Sequence, residues 1–417
     1  MGVVLAASLL ATGFAGCQKK DKNAGSDSTA PDTVTALLPP ISANYQKNFD
    51  SFEKDFQTKY LNLTLKIEPA SWEDMTQKLD VQVNAGTPPD IAFIGSDGIP
   101  KYVDTGMLMD ISKVATEEMV SDYDAGPLGY AKNGKGLYGF PAYMEVQSIG
   151  GNKQFLEAAG IDWKSIQKNG WTYDQFRQAI QKGVVTQNGQ TSRYGFVFAC
   201  SGVTSMDFLD ILVKEAGMPS PFTKDLKFAY TSQSFLEVLK DIRQMIDDGS
   251  MPKSLNSIDA GKRWNMFLTG QTMITGKGMP TFENSANLNN KKIDAKDGSA
   301  VKDSIKADYV VLPAPTFLGN KQVTMPAVDC YVTFRGKTAP TAAHKANVVK
   351  AAYFLDSGKV MAETDSELYL PSITKSGREA EKSLTAAASR DPDNEAEVQR
   401  LVSQAAGYHL GAWRQGN

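Results

Sequence analysis

Ser96 and Asp97 occupy a Gly95-Ser96-Asp97-Gly98 loop. It follows the apolar run Ile91-Ala92-Phe93-Ile94, which itself follows the turn Ala85-Gly86-Thr87-Pro88-Pro89. A short apolar run between turn signals reads as a fully buried parallel strand. Ligands of open α/β sheets bind beyond the carboxyl ends of such strands. A carboxylate placed there forms short, strong hydrogen bonds to hydroxyl groups. The competing reading of Asp97 is a turn-forming residue of that loop.

Other chemistries find little support. There is no Gly-x-Ser-x-Gly elbow and no His-Glu-x-x-His pair. Gly336-Lys337-Thr338 resembles the end of a phosphate-binding loop, but Tyr331 stands where its first glycine belongs. Asp294 and Asp297-Gly298 lack the remaining ligands of a calcium loop. His344 and His409 are the only histidines, and Cys17, Cys200 and Cys330 the only cysteines, so no zinc site or disulfide framework is expected. Cys200 and Cys330 are read as small buried hydrophobes, with their pairing left open. No cofactor is called for. Paired acids of a glycosidase need only meet in space, so a secreted carbohydrate-active enzyme stays as an alternative.

The 417 residues exceed one ordinary core and predict two lobes. Hydrophobic residues make up 41% and charged residues 22%, as in globular proteins. A formal net charge of -3 gives no broad basic footprint for nucleic acid.

Strand-helix alternation positions the loop at Asp97. Residues 33–38 read as a strand. Tyr45, Phe49, Phe52, Phe56 and Tyr60 form one stripe of a helix and are read as core. Residues 63–67 are a second strand, and Ser71 with Asp74 opens a helix carrying Trp72. This is the βαβ order of a parallel sheet. Farther on, 137–146 reads as a strand running into an irregular segment. Thr172 and Gln175 form a capping box, and 194–200 is a strand. Residues 287–306, polar and lysine-rich, read as an exposed excursion. Trp264 reads as core within its helix.

Residues 1–16 read as a signal peptide. The apolar run from Val3 to Ala15 is shorter than the about twenty residues that span a bilayer, and small residues precede Cys17. Residues 17–30 are polar and read as a flexible tether. The absent Lys/Arg-rich start leads us to expect a misassigned start codon or clipping there, and the abrupt Arg414-Gln415-Gly416-Asn417 end leads us to expect clipping at the other terminus.

Taken in order, Trp72-Glu73-Asp74-Met75, Asn84 to Ile91, Gly106-Met107-Leu108-Met109-Asp110-Ile111 and Tyr138-Gly139-Phe140-Pro141 resemble family 1 extracellular solute-binding proteins of ABC importers, the maltose/oligosaccharide class. So do Phe155 to Ile161, Trp171 to Phe176, Phe267 to Ile274 and Leu312-Pro313. The residues before Cys17 resemble a bacterial lipobox, which implies acylation of Cys17. The resemblance implies an α/β periplasmic-binding-protein-like fold of two lobes, each a mostly parallel sheet flanked by helices and joined by crossing hinge segments. Lobe 1 would hold 31–111 plus 311–357, and lobe 2 would hold 114–307 plus 360–417.

It also implies a monomeric, non-enzymatic receptor on the outer face of the bacterial cytoplasmic membrane. The receptor would close on a small solute, expected to be an oligosaccharide, and hand it to the transmembrane subunits of an ABC permease. A peptide, polyol or phosphorylated solute is the alternative. Ligand contacts are implied for Asp97, Tyr143 and Glu145, and for Asp329 and Tyr331 on a strand ending near the cleft. Trp72 could reach the cleft or belong to the core. Met279, with Phe282 nearby, stands where the family carries a sugar-stacking aromatic after Gly-Lys-Gly, and Gly150-Gly151 also stands where an aromatic is frequent.

Overall fold

The computed structural model describes residues 30–202, 206–218, 222–223, 227–384 and 390–405. The expected signal peptide, Cys17, nearly all of the tether and the C-terminal 406–417 lie outside the described residues. No helix among those described is long and apolar enough to cross a membrane.

The strands are β1 (Asp32–Leu38), β2 (Leu63–Pro69), β3 (Ile91–Gly95), β4 (Lys132–Asn133), β5 (Gly136–Leu137), β6 (Gly139–Asn152), β7 (Val185–Gln187), β8 (Gln190–Phe198), β9 (Thr272–Gly278), β10 (Tyr309–Leu312) and β11 (Met325–Thr333). Apart from the β4–β5 hairpin they form one sheet in the order β2-β1-β3-β11-β6-β9-β8-β7, with β10 also paired to β6. The expected βαβ order holds where it was read, since β1 lies parallel to β2 and β3, and farther on β8 also lies parallel to β9. Helices Tyr45–Lys59 and Trp72–Ala85 supply the crossovers. The first buries Phe49, Phe52 and Phe56 from its aromatic stripe. Ser71 Oγ accepts from the Asp74 amide at 3.1 Å and starts the second. Both halves of the Thr172–Gln175 capping box are present, at 3.3 and 2.8 Å.

Among the described residues, two strands join the lobes. Residues 139–147 of β6 pair antiparallel with β11, and residues 148–152 pair with β9 and β10. The expected irregular segment after 146 is therefore the second half of one fourteen-residue strand. Ladder irregularities fall between Ser148 and Ile149 and between Asp329 and Cys330. Bulges of this kind bend a strand and increase its twist.

The apolar cores follow the same division. One gathers residues from Val34 to Tyr143 and from Val328 to Ile373. Two others, from Ile149 to Phe317 and from Val146 to Ala405, share the opposite side of the crossing. The expected lobe boundaries therefore move. Residues 114–143 and 360–373 pack with the first core, whereas β10 packs with the second and third. The reason is that β6 and β11 run unbroken through both lobes, so the changeover lies inside strands and not at a break in the sequence pattern.

The polar stretch read as an excursion contains most of helix Thr281–Ala295. Its asparagines are structural. Asn290 exchanges two hydrogen bonds with the Ala307 backbone, at 2.8 and 3.0 Å, and Asn289 accepts from the Val301 amide at 2.9 Å. Cys330 is buried, but Cys200 is exposed in the loop after β8, and the two are not joined in a disulfide.

In the first lobe His344 bridges Asp32, at 2.9 Å from Nδ1, and Asp90, at 3.0 Å from Nε2. Burial alone would lower its pKa, but hydrogen bonds and charge from Asp90 and Asp32 raise it above 6.5 overall. The stabilisation is complete below the unfolded value and is lost as pH rises through the folded one. We expect the urea midpoint to fall between pH 6 and pH 8.5, and His344→Gln to flatten that slope at a cost of about 1–2 kcal/mol at pH 6. An unchanged slope in the variant would assign the effect elsewhere.

Candidate functional site

The site is built on the carboxyl end of β3 and the midpoint of the crossing strands. Ser96–Gly98 is one 3-10 turn, running directly into helix Ile99–Asp104. Asp97 is exposed, and its carboxylate folds back over Gly95. A Cβ built on Gly95 would lie 2.5 Å from Asp97 Oδ1 and 3.5 Å from Asp329 Oδ1, so the glycine makes room for two converging carboxylates. Asp329 reaches this point because β11 is antiparallel to β3, with Asp329 opposite Gly95.

On the other side of β11, Asp329 faces Tyr143 and Ala327 faces Glu145. The Tyr143 hydroxyl donates to Asp329 Oδ2 at 2.5 Å. Burial raises the phenol pKa well above its ordinary value, and the charges of Asp329 and Glu145 push it the same way. It therefore acts as a permanent donor. Glu145, 5% exposed, shares the Tyr143 face of β6 because strand side chains alternate.

Trp72 is 39% exposed and meets Phe93 edge-on at 6.0 Å. Phe93 in turn contacts Tyr143 at 6.0 Å and Tyr331 at 5.2 Å. Tyr331 is 2% exposed and is part of the first core. Trp72 thus caps an aromatic column whose inner members are packing residues.

The second lobe contributes residues that the sequence did not single out. Lys214, on helix Asp207–Glu215, has its pKa lowered by burial, while Asp210 and Asp97 pull it back up. An ammonium of one lobe thus lies within electrostatic reach of Asp97 of the other. The Asp210–Lys214 spacing of four along a helix was visible in the sequence, but its direction was not. Met279 and Phe282 lie just beyond the end of β9, Phe282 at the start of helix Thr281–Ala295. Phe282 stacks on Trp264 at 4.6 Å, and Arg263 lies 5.0 Å above its ring.

The same helix carries Glu215, fully buried, whose two carboxyl oxygens each lie 3.1 Å from the Val323 amide just before β11. Burial raises its pKa to about 9, so it is neutral near pH 7. A helix facing Asp97 is therefore tied to the start of a crossing strand.

Two surface concavities lie away from this apposition. One, about 620 Å³, runs beside helix Ala260–Leu268 and includes Tyr194, Asp259 and Asn265. The other, about 270 Å³, lies between Glu283, Tyr369 and Arg390. Among the described residues no group of three or more His, Cys, Asp or Glu could hold a metal ion.

Two lobes sharing crossing strands, with carboxylates and a tyrosine at the crossing, define a class of solute-binding protein. The family model described as bacterial extracellular solute-binding protein matches residues 40–347, and the chain belongs to that family. The chain is 29% identical to the maltodextrin-binding protein MdxE of Bacillus subtilis (strain 168) over 217 residues, 49% of each chain. A Brucella abortus (strain 2308) protein named as a binding protein is 24% identical over 244 residues, 58% of this chain and 57% of that one. The chain thus spans about half the length of the curated relatives it matches. Among solved structures, the ABC substrate-binding protein Lmo0181 of Listeria monocytogenes, in complex with cycloalternan, superposes with a TM-score of 0.67 at 17% identity, covering 89% of this chain and 87% of that one.

Removing the Tyr143 hydroxyl leaves a half-buried carboxylate short of a donor. Tyr143→Phe should cost about 1–3 kcal/mol in urea unfolding at pH 7. Glu215→Gln should act in the opposite direction. A carboxyl with a raised pKa loses stability as pH climbs from about 4.5 towards about 9. The amide variant should therefore be more stable than the parent at pH 8 and little different at pH 4.

Proposed function

We propose that this chain is the solute receptor of an ABC importer, that it captures an oligosaccharide between its lobes, and that it does no chemistry on it. One observation carries the reading. In a chain of the extracellular solute-binding family, β6 and β11 bring Tyr143, Glu145 and Asp329 to the line between the lobes, beside Asp97. Carboxylates and a protonated phenol are acceptors and a donor suited to sugar hydroxyls. Trp72 offers an exposed ring for an apolar sugar face. Lys214 supplies a donor from the opposite lobe, so a solute that joins the two sides favours the closed form. The ligand-binding set is then Asp97, Tyr143, Glu145, Asp329, Trp72 and Met279, with Phe282 and Tyr331 behind it.

In this reading Cys17 carries a lipid, and residues 17–30 tether a monomer to the outer face of the cytoplasmic membrane. Closure presents both lobes to the permease. Relatives and structural neighbours named for maltodextrin, maltotriose and diacetylchitobiose support a carbohydrate solute. A non-sugar solute is favoured by one feature, the thioether of Met279 where the family carries an aromatic ring.

Thermal unfolding with maltotriose, mannotriose or diacetylchitobiose in large excess tests the reading. Ligand at about a hundred times its Kd adds about 2.7 kcal/mol. We expect at least one of these sugars to raise Tm by several degrees, and Asp97→Ala or Asp329→Ala to remove the rise. Hydrolysis of the sugar by the parent chain would overturn the receptor reading. A shift with peptides or polyols alone would overturn the carbohydrate part.

A further inference from the structure

Two departures from the family pattern, Gly150-Gly151 and Met279, are far apart in sequence but meet at one buried ring. Tyr309 of β10 is 2% exposed and lies flat against β6. A Cβ built on Gly150 would fall 2.3 Å from Tyr309 Cε2 and 2.4 Å from its hydroxyl oxygen, so any side chain at 150 would occupy the place of this ring. The hydroxyl oxygen accepts from the Met279 amide at 3.0 Å. Two residues earlier, the Arg263 guanidinium, itself 5% exposed, donates to Thr275 Oγ1 at 2.8 Å and to the Lys277 carbonyl. Trp264, Phe267, Phe282 and Tyr309 pack around this point, with Trp264 and Phe282 stacked at 4.6 Å. The segment from Thr275 to Met279 is thus held from behind at three consecutive odd positions.

We infer that Tyr309 and Arg263 are positioning residues for the solute-facing rim at Lys277–Met279, and that Gly150 is present to admit the Tyr309 ring. This rests on the reading of that rim as part of the ligand site. A rim pinned through its backbone loses little freedom when a solute arrives, which raises affinity without any new contact. It presents a soft thioether and backbone groups in place of a stacking ring. Recognition on this side then depends on where the rim is held, and the aromatic element has moved behind the wall.

Tyr309→Phe removes only the hydroxyl and keeps the ring in the core. We expect amide hydrogen exchange at Met279 to accelerate at least about tenfold in the solute-free protein, with Tm nearly unchanged. We also expect affinity for the sugar that binds best among maltotriose, mannotriose and diacetylchitobiose to fall about tenfold, equivalent to about 1.4 kcal/mol. Gly150→Ala should give the same two losses by displacing the ring. Unchanged exchange at Met279 in both variants would overturn the inference. So would accelerated exchange with affinity held within twofold, since the residues would then be structural only. If none of the three sugars binds the parent protein, the carbohydrate reading fails separately. The solute that does shift its Tm then replaces the sugar in the affinity measurement, and the exchange data still decide the positioning.

Discussion

Two antiparallel strands carry backbone hydrogen bonding straight through the boundary between the lobes, and the rest of the molecule depends on that ladder. A paired strand resists stretching and sliding, because either motion strands buried N–H and C=O groups. It gives way more easily where the register already slips, between Ser148 and Ile149 and between Asp329 and Cys330. Tyr143, Glu145 and Asp329 sit in the interval between those two points, so the polar groups proposed to meet the solute are held at a fixed spacing by one continuous ladder.

Buried polar groups tie the rest of each lobe to this axis. Glu215 joins the helix bearing Lys214 to the entrance of β11, and Asn394 bonds the β10 backbone on both sides, at Tyr309 O and Val311 N. Such groups are costly to bury unless partnered, and their geometry is correspondingly strict. Polar residues in unremarkable stretches, such as Asn289 and Asn394, accordingly prove to be internal. The first lobe shows the same pattern in His344, held between Asp32 and Asp90 across three segments of chain.

Much of the architecture was legible beforehand. The aromatic stripe from Tyr45 to Tyr60 and the Ser71 and Thr172 caps depend on neighbours within a few residues and are found as read, whereas the run before Gly95 is a strand parallel to β1 but antiparallel to β11, with Ile94 only half-buried. The Asp97 loop lies beside Asp329 and Tyr143, residues that the family resemblance had also placed at the site. Less legible were features set by distant partners. The helix at 281–295 was hidden by its asparagines, whose bonds go to residues 301–307. The lobe boundaries implied by the family resemblance fell between elements, whereas the cores change over within strands β6 and β11. Lys214 looked like one more charge on a helix until Asp97 was found opposite.

Local periodicity and capping chemistry, readable in the sequence alone, therefore determined the elements and their βαβ order, while the family resemblance rested on the ordered motifs from Trp72 to Pro313. They did so because 3.6- and 2-residue repeats act through immediate neighbours. The tertiary structure alone decided which strand halves belong to which lobe, that Tyr309 fills the space left by Gly150, and that Asp97 and Asp329 converge on Gly95. Those facts depend on contacts between segments distant in the chain, from Gly151 with Ile274 to Gly95 with Asp329. No short-range pattern encodes them, because only the packed chain brings the two surfaces together.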